Sequence, residues 1–410
     1  MNEPKIRFKG FCGEWEETKF DSLAKIRRGL TYSPSNITAK GIRVLRSSNI
    51  NEDLFVISDG DVFVESSCIN IPLANDGDIL ITAANGSPRL VGKHSVVETN
   101  GLKMVPGGFM VLAMTDEPYF LNTCMSSPWY KMFLKTGVAG GNGAIGNLNK
   151  TALSNSIFFI PANKIERDSL ASYFQHLDSL IQSTTKKIES LKQVKAASLQ
   201  SMFPQEGENT PRVRFKGFEG EWEKVAIKKI ATFSKGRGYS KSDLRVAGSP
   251  IILYGRMYTK YEACIKQVDT YVNPKPNSIY SLGNEVIMPA SGETPEDISC
   301  ASAVQARGII LGGDLNVLRF NIDYYDTTFV ALSMSIGQIK KDLSNMAQGK
   351  SVVHLHNSDI EKVDMFIPSF AEQQKIASYF TSLDSQITLQ TQRLEKLKQI
   401  KSACLDNMFI

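Results

Sequence analysis

RFKGFCGEWE occupies residues 7–16 and RFKGFEGEWE occupies residues 214–223. An uneven string of ten residues with two phenylalanines and a tryptophan does not recur by chance, so the rest of the chain was compared at the same spacing. An internal repeat, once found, governs the whole fold assignment. Trp15 and Trp222 lie 207 positions apart, and that offset also joins IRRGLTYS, with Gly29 and Tyr32, to FSKGRGYS, with Gly236 and Tyr239. It joins FFIP, ending at Pro161, to MFIP, ending at Pro368. Beyond those prolines the offset is 206, and LASYFQHLDSLI matches IASYFTSLDSQI, then ESLKQVKAASLQSMF matches EKLKQIKSACLDNMF. The chain is two copies of one unit, well matched at both ends. Between residues about 33 and 146, and again between about 240 and 353, they share only scattered glycines and apolar positions. One frame carrying two different surfaces is the pattern expected of two modules that recognise different things.

The 410 residues are enough for two or three domains with their own cores. With 42% hydrophobic and 22% charged residues the composition is that of a globular protein. No apolar run reaches the roughly 18–20 residues of a membrane span, and MNEPKIRFKG lacks the apolar core of a signal peptide, so a cytoplasmic location is expected. Six scattered cysteines form no C-x-x-C pair, which speaks against disulfides and structural zinc. A net charge of +5 permits a polyanionic partner without requiring one.

Each copy opens with short β-branched and aromatic runs separated by Gly, Pro, Asn and Asp: DVFVESSCINI, GDILITAA and GGFMVLAM, then EVIMPAS, ARGIILGG and LNVLRF. These predict an α+β domain with several strands. PYFLNTCMSSPWYKMFLKT and TTFVALSMSIGQIKKDLSNM predict one helix per copy, and FFIP and MFIP predict closing strands.

After each closing proline the period changes. Leu170, Phe174, Leu177, Ile181, Thr184, Ile188, Leu191, Lys195, Ser198 and Met202 alternate at spacings of four and three. Ile376, Phe380, Leu383, Ile387, Gln390, Leu394, Leu397, Lys401, Cys404 and Met408 do the same. A heptad seam sustained this long, with no Gly or Pro inside it, predicts a coiled-coil helix of about 60 Å in each copy. Parallel pairing would require the second domain to run the whole helix length back, so antiparallel pairing is expected. Thr184, Gln390, Lys195 and Lys401 interrupt the seam at matched places and are candidates for fixing its register. Tyr173, Leu180 and Val194 widen the first stripe, as a further helical partner or a filled core would require. The expected architecture is α+β: two globular domains separated by two long helices in an antiparallel coiled coil, with a pseudo-two-fold internal repeat. The expected boundaries are a first domain at 1–162, a first helix at 163–205, a second domain at 206–369 and a second helix at 370–410.

No catalytic constellation accompanies this frame. GNGAIG, at residues 141–146, matches G-x-G-x-x-G by letter but does not sit between a strand and a helix. DEPY, at residues 116–119, is better taken as a loop than as a methyltransferase motif. His94, His176, His354 and His356 form no metal or nucleophile motif, although His354 and His356 alternate in a strand-like segment. No catalytic residue and no metal site is expected.

The order of variable domain, heptad helix, second variable domain and second heptad helix, with RFKGFxGEWE openings, IP closings and SYFxxLDSxI…LKxxKxxxLxxMF helices, resembles the specificity subunit of Type I restriction-modification systems. The resemblance covers nearly the whole chain. It implies a non-catalytic reader of double-stranded DNA whose two target recognition domains each contact one half of a split, asymmetric site. It further implies that the helices set the spacing and carry two methyltransferase (modification) subunits, which restriction endonuclease/translocase subunits join. S-adenosylmethionine, ATP and Mg would then belong to those partners, with no cofactor in this chain. The alternative is a two-headed protein-binding adaptor with a coiled-coil spacer.

Base reading needs Arg, Lys, Asn, Gln or hydroxyl side chains on loops that reach a groove edge. In the first domain the candidates are Arg46, Ser47, Asn49, Asn85, Ser87, Arg89 and Lys93. At or near the matched places in the second stand Tyr254, Arg256, Ser291, Glu293, Thr294 and Lys350.

Overall fold

The computed structural model describes residues 2–139, 145–349 and 351–410. The chain forms two compact units, Met1–Lys186 with Gln392–Ile410, and Lys187–Thr391. Each unit therefore takes its globular domain from one copy and its helical base from both.

In the first unit the repeated decamer runs into the strand Glu16–Lys19, which pairs antiparallel with the closing strand Ile157–Ile160, Glu16 opposite Ile160. In the second unit Glu223–Ala226 pairs with Asp364–Ile367, Glu223 opposite Ile367. The opening and closing motifs of each copy are thus one structure, which is why they repeat together.

The poorly matched centres share the same framework. The first domain has an antiparallel sheet ordered His94–Val96, Ile79–Thr82, Met110–Met114, Lys25–Arg28. The second has Ser302–Val304, Glu285–Pro289, Leu315–Phe320, Ala231–Lys235 in the same order, extended by Cys264–Ile265. A second sheet in each domain contains a parallel pair, Met104–Pro106 with Ile42–Leu45 and Arg307–Leu311 with Ser249–Ile252. The glycines common to both copies mark where these sheets touch. A Cβ on Gly29 would sit 1.9 Å from the carbonyl oxygen of Gly107, and one on Gly236 would sit 1.9 Å from that of Gly312. Only glycine fits such an approach.

The single helix expected near the end of each domain is instead two. Pro118–Ser126 is followed by Pro128–Gly137, and Thr327–Met334 by Gly337–Met346. Pro128 forces the preceding Ser127 into extended backbone, and Gly337 adopts φ +57°, so both helices break at the same place by different means.

The long helices span Lys164–Ser201 and Phe370–Met408. In the first unit the start of the first helix packs on the end of the second, burying Leu170, Phe174, Leu177 and Ile181 with Leu405, Met408 and Phe409. In the second unit the end of the first helix packs on the start of the second, burying Met202 and Phe203 with Ile376, Phe380 and Leu383. The pairing is antiparallel in both. Ile188 is buried, and Leu191, Ile387, Leu394 and Leu397 are half-buried. Lys401 lies 2.7 Å from Asp178 in the first unit, and Lys195 lies 2.5 Å from Asp384 in the second. Thr184 is buried and its hydroxyl donates to the Leu180 carbonyl at 2.7 Å, so it turns back on its own helix.

The decamer locks these helix ends. Arg7 makes a two-pronged pair with the buried Glu166 at 2.7 and 2.8 Å, and Trp15 meets Phe409 edge-on at 5.8 Å. Arg214 pairs with the buried Glu372 at 2.8 and 2.6 Å, and Trp222 meets Phe203 at 6.2 Å. Each decamer joins the first turn of one long helix to the last turn of the other. Among the described residues no helix is long and apolar enough to cross a membrane.

Candidate nucleic-acid interface

The strand Ile42–Leu45 delivers Arg46 and Ser47 to the rim of a cleft of about 640 Å³ in the first domain. Asn85 enters from the neighbouring edge, donating to the Ser47 hydroxyl at 3.2 Å and accepting from the Ser87 backbone at 2.9 Å. Two segments distant in sequence are brought to one rim, and among the described residues Arg46 is the only charged one lining the cleft. Arg46, Ser87 and Arg89 are exposed. Arg89, in the turn Pro88–Leu90, and the half-buried Lys93 lie outside this rim.

Asn49 is a correction. It is 1% exposed, accepts from the Arg46 backbone at 2.8 Å, and donates to the Val56 carbonyl at 3.0 Å and to Asp61 at 2.9 Å. It shapes the loop that carries Arg46 and does not reach outward.

The matched residue of the second domain, Arg256, is corrected in the same sense. Its side chain is 9% exposed and pairs with Glu262 at 2.7 Å and Asp269 at 2.5 Å. Lys260 and Arg256 together hold the Asp269 carboxyl down to about 2. Both copies therefore use this position to grip a carboxylate downstream. The sequence signal was present, an acid 12 or 13 residues further on, but only the folded loop shows that the two meet.

Thr294 caps the short helix Pro295–Ile298, accepting from the Asp297 backbone at 3.2 Å and donating to its carboxylate at 2.7 Å. Ser291 is buried in a strand pair with His354, so it too is framework. Glu293 is exposed beside it and Tyr254 is half-buried against the core. Lys350 lies outside the described residues, as does most of GNGAIG. His354 and His356 do share one exposed face, with ring centroids 6.3 Å apart.

The sequence reading missed the tips of two equivalent turns. Gly107–Gly108–Phe109 precedes the strand Met110–Met114, and Gly312–Gly313–Asp314 precedes Leu315–Phe320. The Phe109 carbonyl accepts from the Ala83 and Ala84 backbones at 2.8 and 3.0 Å, and the Asp314 carbonyl accepts from Ala290 at 2.7 Å. Both side chains are exposed. The shared GG dipeptide was the available signal, hidden because a two-residue slip separates it from the main offset.

One strand framework is thus built twice, with different side chains at its tips. The family model for the Type I restriction modification DNA specificity domain matches residues 219–399. Residues 7–203 repeat most of that matched half in sequence motif and strand order. The specificity subunit of the Type I restriction enzyme MjaVIII of Methanocaldococcus jannaschii is 19% identical over 347 residues, spanning 82% of this chain and 78% of the relative. The crystal structure of the Type I restriction-modification S subunit from M. genitalium superimposes with a TM-score of 0.65 at 13% identity, covering 100% of this chain and 99% of the other, a likeness of fold. Residues 219–399 thus match the Type I restriction modification DNA specificity domain, and the chain as a whole is similar to Type I specificity subunits.

Proposed function

We propose that this chain is the DNA specificity subunit of a Type I restriction-modification complex, reading a bipartite, asymmetric target and positioning methyltransferase and endonuclease subunits. Residues 1–162 and 206–369 are the target recognition domains in this reading, and residues 163–205 and 370–410 are the spacer helices. The observation that carries it is one strand framework built twice with different side chains at matched tips. That is what two half-sites of different sequence require, each read by base-edge contacts from a rigid support.

Arg46, Ser47 and Asn85 serve the first half-site, and Glu293 with the Asp314 tip serves the second. Catalysis, S-adenosylmethionine, ATP and Mg belong to partner subunits. Two methyltransferase subunits dock on the helices, where Val194 and its repeat mate Ile400 remain exposed, at 44% and 38%. The complex works on DNA in the cytoplasm.

The test is co-expression with the adenine methyltransferase encoded beside it, followed by mapping of methylated adenines by long-read sequencing. A split, asymmetric motif that needs both proteins is the expected result. A confirmed complex that adds no methylation would overturn the proposal in favour of a protein-binding adaptor.

A further inference from the structure

Phe109 is the most exposed part of an apolar group in the first domain's cleft. It is 66% exposed, and Ile37 and Ile145, at 51% and 52%, line the same space. A single exposed apolar side chain needs no explanation, but three around one cleft with an arginine, a serine and an asparagine at its rim form a mixed surface. The turn beneath Phe109 is rigid. The Gly107 backbone donates to the Leu45 carbonyl at 2.9 Å, Met110 donates back to Gly107 at 2.8 Å, and the Phe109 carbonyl holds the two alanine donors already described. The turn thus holds the Phe109 backbone in place, in the cleft that Arg46 also lines.

A major-groove edge offers one apolar feature, the 5-methyl group of thymine, next to purine acceptors and donors that suit arginine and asparagine. The cleft matches that combination, with no carboxylate among its described lining residues to repel the phosphates. The second domain places Asp314 at the equivalent tip, which has no apolar surface to offer a methyl group.

We propose that Phe109 is a specificity-determining residue that contacts the 5-methyl group of a thymine in the first half-site. The inference rests on the specificity-subunit reading and adds to it the base feature recognised. The contact removes roughly one methyl group from water, which corresponds to about a fourfold change in affinity.

With the target motif in hand, the chain in complex with its methyltransferase is titrated against duplexes in which each thymine of both half-sites is replaced singly by deoxyuridine, which lacks only the methyl group. One thymine should show about a fourfold loss of binding, in the same half-site whose recognition weakens in Arg46→Ala. That loss should vanish in Phe109→Ala, persist in Phe109→Leu, and have no counterpart coupled to Phe109 in the other half-site. The proposal is overturned if no thymine is coupled to Phe109, if the Arg46-dependent half-site contains none, or if Phe109→Ala weakens binding equally whichever thymine is replaced. Site-specific methylation would persist in each of those cases, leaving the function intact, whereas its absence would remove both.

Discussion

The two globular domains agree where they are anchored to the helices and differ at the tips of their loops. Arg7 and Arg214 grip matched glutamates, and Trp15 and Trp222 meet matched phenylalanines. At the tips, Phe109 answers to Asp314, Asn85 to Gly292 and Ser47 to Tyr254. The difference teaches that repetition here marks packing and divergence marks recognition. Asn49 and Arg256 sharpen the point, because they differ in residue type yet do the same structural job.

The comparison is broken most strongly at the helix ends. Trp15→Ala and Trp222→Ala should each destabilise the protein by about 3–5 kcal/mol, as truncation of a large buried aromatic does, and by similar amounts in denaturant unfolding. A large inequality would show that the two frames are not equivalent. Next come Arg7→Ala and Arg214→Ala, each of which strands a glutamate that is 1% exposed. Removing one partner of such a pair costs about 3 kcal/mol, and thermal unfolding should move alike for both. Smaller, and opposite in kind, are Asn49→Ala and Arg46→Ala. The first should lose about 1–3 kcal/mol of stability through its orphaned partners. The second should leave stability unchanged and weaken DNA binding by about 1–3 kcal/mol at one half-site only.

The smallest effect is a pH dependence at the helix pair. Burial raises the Asp178 carboxyl even though Lys401 beside it opposes the shift. In Lys401→Met the raised folded-state value climbs further. The folded state then holds its proton over a pH range in which the unfolded chain has lost it, so stability falls as pH rises from about 4 through that value and levels off above it. Denaturation midpoints between pH 4 and 7 check this, and an unchanged profile would mean that the pair does not resist burial as described.

Much of the fold was legible in the sequence. The repeat and the heptads gave the long helices, and the β-branched runs gave the strands, because both signals are periodic and local. The common strand order of the two centres was not legible, since sheet partners such as Ile251 and Ile310 are joined only through space. The helix breaks at Ser127 and Gly337 were signalled by Pro128 and by Gly337 itself, but the apolar stretches on either side read as one continuous helix. Of the candidate site residues, Arg46, Ser47 and Asn85 line one cleft, whereas Asn49, Arg256 and Thr294 are tied into their own loops, because a polar side chain that caps or anchors a loop reads like one that contacts a ligand. Phe109 was missed because an exposed phenylalanine in an apolar segment reads as core.

The turn that carries Phe109 is held by main-chain hydrogen bonds, and its side chain, 66% exposed, contributes little to the fold's stability. Selection can therefore change the residue there without first compensating elsewhere. The corresponding turn in the second domain is less free, because Asp314 sits at φ +55°, where glycine, asparagine and aspartate are favoured. Under the role proposed for Phe109, the first head can change its target by single substitutions at this turn, while the second would have to recruit other loops to acquire a new one.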